Sequence, residues 1–257
     1  MPELPDLAVF SENLQARLQG KTVHSVECQR AIRLNTSPEQ LKSALCNASI
    51  ASVRRAGKEM AFGFTNQATL FVHLMLKGKF HITSVPATVE SQMLTLSLGG
   101  ESLVVSDPEG QVSLKLNPSL SSVPDALEVE GTYLRRKISE RRKKGVKAFL
   151  IDQSLLRGIG NAYVDEILWQ ARIAPKSVVG KIPDHVIEDL LISIKSVLTD
   201  AIDEIKKRKP ETISEEVRDF LRVHNPKRSV SPTGHRIMTE QVASRITYFT
   251  EEQVLYV

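Results

Sequence analysis

The chain begins with two residues that together could carry out covalent chemistry. Its first six residues are Met-Pro-Glu-Leu-Pro-Asp. Methionine before proline is normally removed, and Pro2 would then carry a free secondary amine, whose pKa of about 7.7–8.0 keeps part of it neutral and nucleophilic. Attack of such an amine on a sugar C1′ carbon gives an iminium ion that acidifies the C2′ proton and allows loss of a 3′ phosphate. Glu3 can protonate the sugar ring oxygen. Taken alone, Pro2 is better explained as the plain start of a helix.

A second candidate group lies in the segment DQSLLRGIGNAYVDEILWQARIAP, which begins at Asp152. Gly158 and Gly160 permit a tight turn and the close approach of a phosphate to backbone N–H groups. Asn161 follows at the start of the next helix, where it can cap that helix or bind a phosphate oxygen. Two such glycines alone are also typical of an ordinary turn between helices.

The N-terminal half of the chain alternates short β-type segments with two helices. The apolar spacing predicts a helix over 5–19, and a capping box that begins at Ser37 predicts a second helix through Leu45. Short segments rich in β-branched and apolar residues predict strands at 22–28, 50–55, 60–65, 68–74, 79–84, 92–97 and 102–106. This pattern favours an antiparallel β-sandwich flanked by helices.

The C-terminal half has a helical period and ends in a β-type segment. Predicted helices cover 134–142, 146–156, 162–171 and 183–207, and the turn residues 231–234 are expected to separate two ribbons. We therefore predict an α+β protein of two domains, with a catalytic β-sandwich over 1–118, a linker over 119–133, a helical domain over 134–222 and a β-hairpin over 223–257.

Composition excludes several classes of protein. The chain is 41% hydrophobic and 25% charged, which is ordinary for a soluble protein. No apolar run approaches the ~20 residues that span a bilayer, and the start lacks a basic signal-peptide region, so we expect a cytoplasmic location and no membrane partner. Cys28 and Cys46 cannot form a disulfide framework, and we interpret them as small buried hydrophobic residues.

The positive charges are unevenly distributed. The net charge is +4, but residues 135–147 contain eight basic side chains and one acid. Such a run suits a polyanion, because lysine and arginine release counterions when they neutralise phosphates. A solvated helix face would explain the same run.

Together these motifs resemble the formamidopyrimidine-DNA glycosylase/endonuclease VIII family, over nearly the whole chain. The resemblance implies an N-terminal β-sandwich, a helix–two-turns–helix domain and a β-hairpin finger. It also implies that Pro2 is the Schiff-base nucleophile and Glu3 the catalytic acid. Lys58 resembles the lysine of the sandwich domain that binds DNA phosphate beside the lesion.

The resemblance also assigns contacts with DNA in the second half of the chain. Lys147 matches a lysine that reaches the backbone at the lesion, and Asn161, after the turn at Gly158 and Gly160, matches a phosphate-binding asparagine. Arg245, in the segment SRITYF, is expected to clamp phosphate as part of the finger. Without the resemblance, Lys58 and Arg245 would be read as solvated surface charges.

The finger departs from the pattern of the family, which carries four cysteines that bind zinc. Thr250 and Gln253 stand at the second pair of positions, and the first pair falls in the cysteine-free stretch 230–233. Because only His224 and His235 are nearby, we expect no tetrahedral zinc site, no metal and no other cofactor. We expect the finger to be held instead by packing of Ile237, Val242, Ile246, Tyr248, Phe249, Val254 and Leu255.

The residues that fill the gap left by an everted nucleotide also differ. Leu76 occupies the usual wedge position, where an apolar side chain can still act. In the loop from Asp107 to Val112, Glu109 replaces the arginine that reads the opposite base and Gln111 replaces a phenylalanine. A carboxylate accepts rather than donates hydrogen bonds to a base, so the choice of opposite base is expected to be relaxed or altered, or another residue fills the gap.

Two further departures bear on the damaged base. The family has a long loop over 8-oxoguanine before its finger, whereas residues 209–223 here are compact and charged, with a predicted helical part capped by Ser214. Asp6 replaces the usual glutamate and is shorter by one methylene.

The resulting hypothesis is a base-excision repair glycosylase with AP lyase activity. It would act as a monomer in the bacterial cytoplasm, at the nucleoid, on damaged double-stranded DNA that carries formamidopyrimidine, 8-oxoguanine or oxidised pyrimidines. The alternative hypothesis is a protein that binds damaged or abasic DNA with little base excision. The altered loop at Glu109 favours the alternative slightly, whereas the intact pair of Pro2 and Glu3 argues against it.

Overall fold

The computed structural model describes residues 1–28 and 33–257, which form two compact units. The first unit contains Met1–Leu120 and Ile205–Glu216, and the second contains Ser121–Glu204 and Val217–Val257. Residues 205–216 therefore fold with the first unit, although the sequence predicts 134–222 as one domain. No helix in the described ranges is long and apolar enough to cross a membrane.

The first unit is a β-sandwich with two helices, as predicted. Its strands are β1 Ser25–Glu27, β2 Arg33–Leu34, β3 Ile50–Ala56, β4 Glu59–Phe64, β5 Thr69–His73, β6 Lys79–Thr83, β7 Gln92–Ser97, β8 Ser102–Ser106 and β9 Ser113–Leu116. One sheet has the order β1-β7-β8-β6 and the other has the order β2-β9-β5-β4-β3. All strand pairs are antiparallel except β2 with β9, and the apolar faces of both sheets enclose the core.

The helices of this unit, α1 (Leu4–Leu18) and α2 (Pro38–Leu45), lie where the sequence predicts them. Leu7, Phe10, Leu14 and Leu18 recur at helical spacing and are at most 1% exposed, which places one face of α1 in the sandwich core. The capping box predicted at Ser37 is formed with Gln40.

The second unit contains α3 (Gly131–Glu140), α4 (Val146–Leu150), α5 (Asn161–Gln170), most of α6 (Asp184–Arg208) and the finger strands β10 (Met238–Val242) and β11 (Arg245–Phe249). The predicted helix over 146–156 is wrong after Leu150, because Asp152 starts a turn in which Leu155 and Leu156 N–H both donate to its carbonyl. The finger reverses at Ala243 and Ser244, both with positive φ. Residues 231–234 instead form a smaller turn between Val230 and Arg236.

Candidate functional site

The first turn of α1 fixes Glu3. Glu3 is the N-cap residue: its side chain accepts the backbone N–H of Asp6, and its own N–H donates to Asp6 Oδ2 at 2.8 Å. Both side chains are at least 96% buried. This reciprocal pair satisfies two helix N–H groups that would otherwise lack partners, so the replacement of glutamate by Asp6 is compatible with a rigid helix start.

Pro2 lies next to this cap and is also buried. The ammonium group of Met1 forms an ion pair of 2.7 Å with Glu216, which belongs to the same unit. This ion pair is lost when Met1 is removed, whereas the capping box after Pro2 stays and continues to fix the start of α1. A reacting amine at Pro2 would have little freedom to lose on binding a substrate.

The start of α1 lies in the direction of the turn that carries Lys58. Gln15, near the end of α1, accepts the backbone N–H of Val53 in β3, and α1 runs antiparallel to that strand because Gly20 N–H donates to Ile50. From these contacts the helix runs back ~18 Å to Glu3, while the strand advances ~10 Å to Ala56, where the two-residue turn with Lys58 begins. The turn that carries Lys58 therefore lies in the direction of the start of α1, and Lys58 is 9% exposed.

The loop between β5 and β6 presents Leu76. Its side chain is 52% exposed, whereas its neighbour Leu74 is buried. Met75 adopts a positive φ of 55°, and its N–H donates to His73 Nδ1 at 3.0 Å. Burial lowers the pKa of His73, an effect that Lys58 reinforces and Glu59 opposes. A neutral imidazole can accept this hydrogen bond, so His73 holds the loop in place.

A neighbouring loop from Asp107 to Val112 packs against the Leu76 loop. The Asp107 carboxylate accepts the N–H groups of Glu109, Gln111 and Val112 at 2.5–3.0 Å and is nearly buried. A Cβ added to Gly78 would lie 2.7 Å from Val112 Cγ2, so only glycine allows the two loops to approach this closely. Glu109 is exposed on a fixed loop.

In the second unit, Gln153 shapes the turn before α5. Its side-chain amide donates to the carbonyls of Ile151 and Ile159 and accepts the N–H of Gly158, each at 2.9 Å. Gly158 has φ 107°, a conformation that side chains disfavour, and Gly160 is the N-cap residue of α5. Neither glycine supplies a capping side chain to α5, and both are buried in the turn.

The structure brings Asn161 and the finger together. Asn161 Nδ2 donates to the carbonyl of Ile246 at 3.0 Å, and Ile246 follows the exposed Arg245 at the start of β11. Within the described ranges, Asn161 Oδ1 is the one buried side-chain polar atom without a hydrogen-bond partner. The two predicted phosphate ligands therefore lie side by side, and one hydrogen bond sets their relative position.

Lys147 lies in a different environment from the one that the resemblance implies. Its side chain is fully buried, and Nζ donates to Asp165 Oδ1 at 2.8 Å and to Thr247 Oγ1 at 2.6 Å. Asp165 Oδ2 also accepts the N–H of Tyr248 and lies 2.7 Å from His224 Nδ1. The resemblance predicts that Lys147 contacts the DNA backbone directly. In this structure its ammonium group instead connects α4 to α5 and β11.

Glu166, beside Asp165 on α5, binds the backbone of residues 222–224, which precede the finger. Its carboxylate accepts the N–H groups of Arg222, Val223 and His224 at 2.7–2.9 Å. Burial raises the pKa of Glu166, and these three hydrogen bonds oppose that rise. Neither acid is among the predicted site residues, although an adjacent Asp-Glu pair inside an apolar helix segment is a signal of buried partners.

The finger is held by polar groups, so the predicted packing of seven apolar residues is wrong. None of Ile237, Val242, Ile246, Tyr248, Phe249, Val254 and Leu255 is buried. From residue 226 to 257 the buried side chains are Ser231, Thr247, Thr250 and Gln253. A two-stranded ribbon has too little apolar surface to enclose a core of its own, so hydrogen bonds to the helical part of the same unit hold it instead.

The segment 209–216 of the first unit also differs from its prediction. Ser214 caps no helix: its hydroxyl accepts the N–H of Phe80 at 2.7 Å and donates to the Phe80 carbonyl, at the edge strand β6. Asn13 donates to the carbonyls of Pro210 and Thr212 at 2.8 Å. The edge strand offers unpaired backbone groups, and these outcompete the helix that the local sequence favours. The segment and β6 border a groove of about 570 Å³.

Comparison with known proteins identifies the family. Residues 1–111 match the model of the formamidopyrimidine-DNA glycosylase N-terminal domain, and residues 120–213 match the model of the H2TH domain of the same enzymes. The chain belongs to the formamidopyrimidine-DNA glycosylase family. It is 30% identical to the formamidopyrimidine-DNA glycosylase of Lactococcus lactis subsp. lactis (strain IL1403), with 97% of each chain covered. The enzyme of that name from Bacillus subtilis (strain 168) is also 30% identical, over 79% of this chain and 78% of the relative.

Solved structures of the formamidopyrimidine-DNA glycosylase family share this fold. A complex of the Lactococcus lactis enzyme with DNA that contains an abasic site has a TM-score of 0.87 at 26% identity, covering 98% of this chain and 99% of that one. A complex with DNA that contains FAPY-dG has a TM-score of 0.86 at 26% identity and the same coverage. The predicted family and fold class are thereby confirmed.

Proposed function

We propose that this protein is a base-excision repair DNA glycosylase with AP lyase activity. The observation that carries the proposal is the rigid start of α1, where Pro2 precedes Glu3, the buried N-cap residue of that helix. Lys58 lies in the turn after β3, in the direction of the start of α1. Relatives over nearly the full length are named formamidopyrimidine-DNA glycosylases, and their structures hold damaged DNA.

The chemistry assigns one role to each group in the first unit. The neutral amine of Pro2, freed by removal of Met1, attacks C1′ of the damaged nucleotide as the glycosidic bond breaks and the base leaves with a proton. Glu3 protonates the ring oxygen, and the opened sugar is left as an iminium adduct. Loss of the C2′ proton then breaks the bond to the 3′ phosphate, elimination of the 5′ phosphate follows, and water releases Pro2. Lys58 would hold the phosphate beside the lesion.

The second unit would grip the DNA backbone. Asn161 at the start of α5 and Arg245 near the tip of the finger would contact phosphates, and the turn at Gly158 and Gly160 sets the position of Asn161. Lys147 supports this part of the finger from within, since it bonds Thr247 two residues after Arg245. Leu76 would fill the gap left by the everted nucleotide from its own exposed loop.

One experiment separates catalysis from mere binding of damaged DNA. The protein is incubated with abasic-site duplex and borohydride, which reduces an iminium to a stable covalent adduct. We expect an adduct with the native chain, and its absence while the duplex is still bound would support the binding-only alternative. The names of the relatives do not favour that alternative.

The damaged base and the opposite base are separate questions. We propose substrates among formamidopyrimidines, 8-oxoguanine and oxidised pyrimidines, with weak discrimination of the opposite base because Glu109 presents a carboxylate on a fixed loop. Excision from duplexes that pair each lesion with each of the four bases tests both statements. We further propose that the protein is a monomer, which light scattering with and without DNA would test. We also propose that it acts in the bacterial cytoplasm at the nucleoid, which fractionation of cells would test.

A further inference from the structure

A cluster of hydrogen bonds centred on Glu252 closes the base of the finger. Its carboxylate, 11% exposed, accepts from Thr233 Oγ1 at 2.7 Å, Thr250 Oγ1 at 3.1 Å and Trp169 Nε1 at 3.3 Å, and it pairs with Arg172. These partners come from the turn before β10, from the end of β11 and from α5 with the turn that follows it. One carboxylate therefore joins three separate segments of the second unit.

The residues at this place do not fit the zinc that many members of the family carry. Thr250 and Gln253 form hydrogen bonds with each other and with the turn after α5. Thr250 N–H donates to Gln253 Oε1 at 2.9 Å, and Gln253 Nε2 donates to the Ile173 carbonyl at 2.8 Å. Hydroxyl and amide groups are poor replacements for the thiolates of a structural zinc site. Among residues 1–28 and 33–257 no three His, Cys, Asp or Glu side chains are placed to hold a metal ion.

A buried carboxylate can replace a metal as a cross-link if it stays charged. It offers about four acceptor positions, and its hydrogen bonds are stronger than those between neutral groups. Burial favours the protonated form of Glu252, but the donors from Thr233, Arg172, Trp169 and Thr250 outweigh it and hold the pKa at about 2. The cross-link is thus ionised throughout the range in which the protein works.

We propose that Glu252 is a positioning residue that takes the place of the metal and sets the finger's Arg245 on the DNA backbone. Helix α5 acts as a common frame: its first residue, Asn161, holds Ile246 near the finger tip, while Trp169 near its end and Arg172 in the following turn hold Glu252 at the finger base. In the antiparallel ribbon, Met238 pairs with Phe249 at the base and Val242 pairs with Arg245 at the tip. The position of the base therefore determines the position of Arg245. This inference rests on the proposed role of Arg245 in binding phosphate.

The test compares Glu252→Gln with Glu251→Gln, an adjacent exposed acid that pairs with His235. The affinity for a tetrahydrofuran-containing duplex is measured at fixed salt, and the rate of borohydride trapping is measured with abasic-site duplex at saturation. We expect Glu252→Gln to raise Kd about tenfold or more, because hydrogen bonds to a charged group are lost. Its trapping rate at saturation and both readouts for Glu251→Gln should stay within about twofold of the native values.

A double variant shows whether Glu252 acts through Arg245. If it does, Arg245→Ala combined with Glu252→Gln binds no more weakly than Arg245→Ala alone. Additive losses, a native Kd for Glu252→Gln, or a loss of affinity in the native protein on chelation of zinc would each overturn the proposal. Thr233→Val, which removes one donor and keeps the charge, gives a smaller loss of the same kind if Glu252→Gln fails to fold.

The outcome is independent of the proposed chemistry. A native chain that forms no adduct, while Glu252→Gln still weakens binding of the duplex, would refute the lyase function and leave the positioning role intact. If the native chain forms the adduct but Glu252→Gln binds the duplex as tightly as the native chain, the lyase function is supported and the positioning role is refuted.

Discussion

The two units hold their functional side chains by different means. In the first unit, Glu3 is fixed by a local capping box on a helix whose other face enters an apolar core. In the second unit, Lys147 and Asp165 form a buried ion pair, and Glu252 pairs with the partly exposed Arg172, 80 residues away in the chain. Loss of a helix cap such as that of Glu3 costs about 0.5–2 kcal/mol, whereas loss of one partner of a buried ion pair costs about 3–5 kcal/mol and also removes a support of the site.

The largest expected effect on chemistry is at Pro2. In Pro2→Gly the secondary amine is replaced by a primary one without the ring, and we expect the borohydride adduct to fall by about a thousandfold or more. Binding of duplex should stay within a few-fold of native. Pro5→Ala, in the same turn of α1, is the matched control and should retain the adduct; if both variants lose it, the loss reflects the helix start and not the nucleophile.

Next in size is the buried lysine of the second unit. Lys147→Met leaves Asp165 as a buried charge without its cation, so we expect the free energy of unfolding to fall by about 3–5 kcal/mol. Lys144→Met is the control, because Lys144 pairs with the partly exposed Asp152, and such a pair contributes about 0–1 kcal/mol. Urea denaturation of the three proteins measures both values, and equal losses would contradict the contrast between buried and exposed pairs.

Leu76 tests whether a functional side chain of the first unit can be removed without loss of stability. Its side chain is about half exposed, so Leu76→Ala should change stability by no more than about 0.5 kcal/mol. Excision of a paired lesion should slow about tenfold, because the wedge helps to keep the nucleotide out of the stack. Trapping on an abasic site, which has no base to evert, should change less. Leu120→Ala, an exposed leucine outside the loop, should leave excision unchanged; a native rate for Leu76→Ala would remove Leu76 from the wedge role.

The smallest expected effect is a dependence on pH. The folded pKa of Glu252 is about 2, below its usual 4.5, so its contribution to stability is complete above about pH 4.5 and is lost as the pH falls towards 2. The difference in unfolding free energy between the native chain and Glu252→Gln should thus be constant from about pH 5 to 8 and shrink below that range. A difference that stays unchanged down to about pH 3 would contradict this role of the Glu252 carboxylate.

Local patterns allowed most of the fold to be predicted. The spacing of apolar residues located α1, α2 and the longer strands, because such elements are determined by residues close in sequence. The short strands β2 and β9 were missed, since two to four residues carry too little periodic signal. Ser214 was assigned to a helix because its partner, Phe80, lies 134 residues away in the chain.

The candidate site divides in the same way. Pro2, Glu3 and Asn161 are defined by their own helix starts and could be placed from sequence. Lys147 could not, because its burial depends on Thr247, which is 100 residues distant. The Glu252 cluster was missed for a similar reason: Trp169 and Arg172 are 80 or more residues from Glu252, and polar side chains at a finger base give no apolar pattern to detect.

A finger closed by carboxylate, hydroxyl and amide groups has no thiolate for oxidants to attack. Thiolates that hold zinc are open to sulfenic acid and disulfide formation, with loss of the metal. The two cysteines of this chain, Cys28 and Cys46, both lie in the first unit, where they pack against the sandwich core. We therefore expect binding of damaged duplex to survive hydrogen peroxide at concentrations that release zinc from a four-cysteine finger, so that repair continues while the oxidant that creates the lesions is still present.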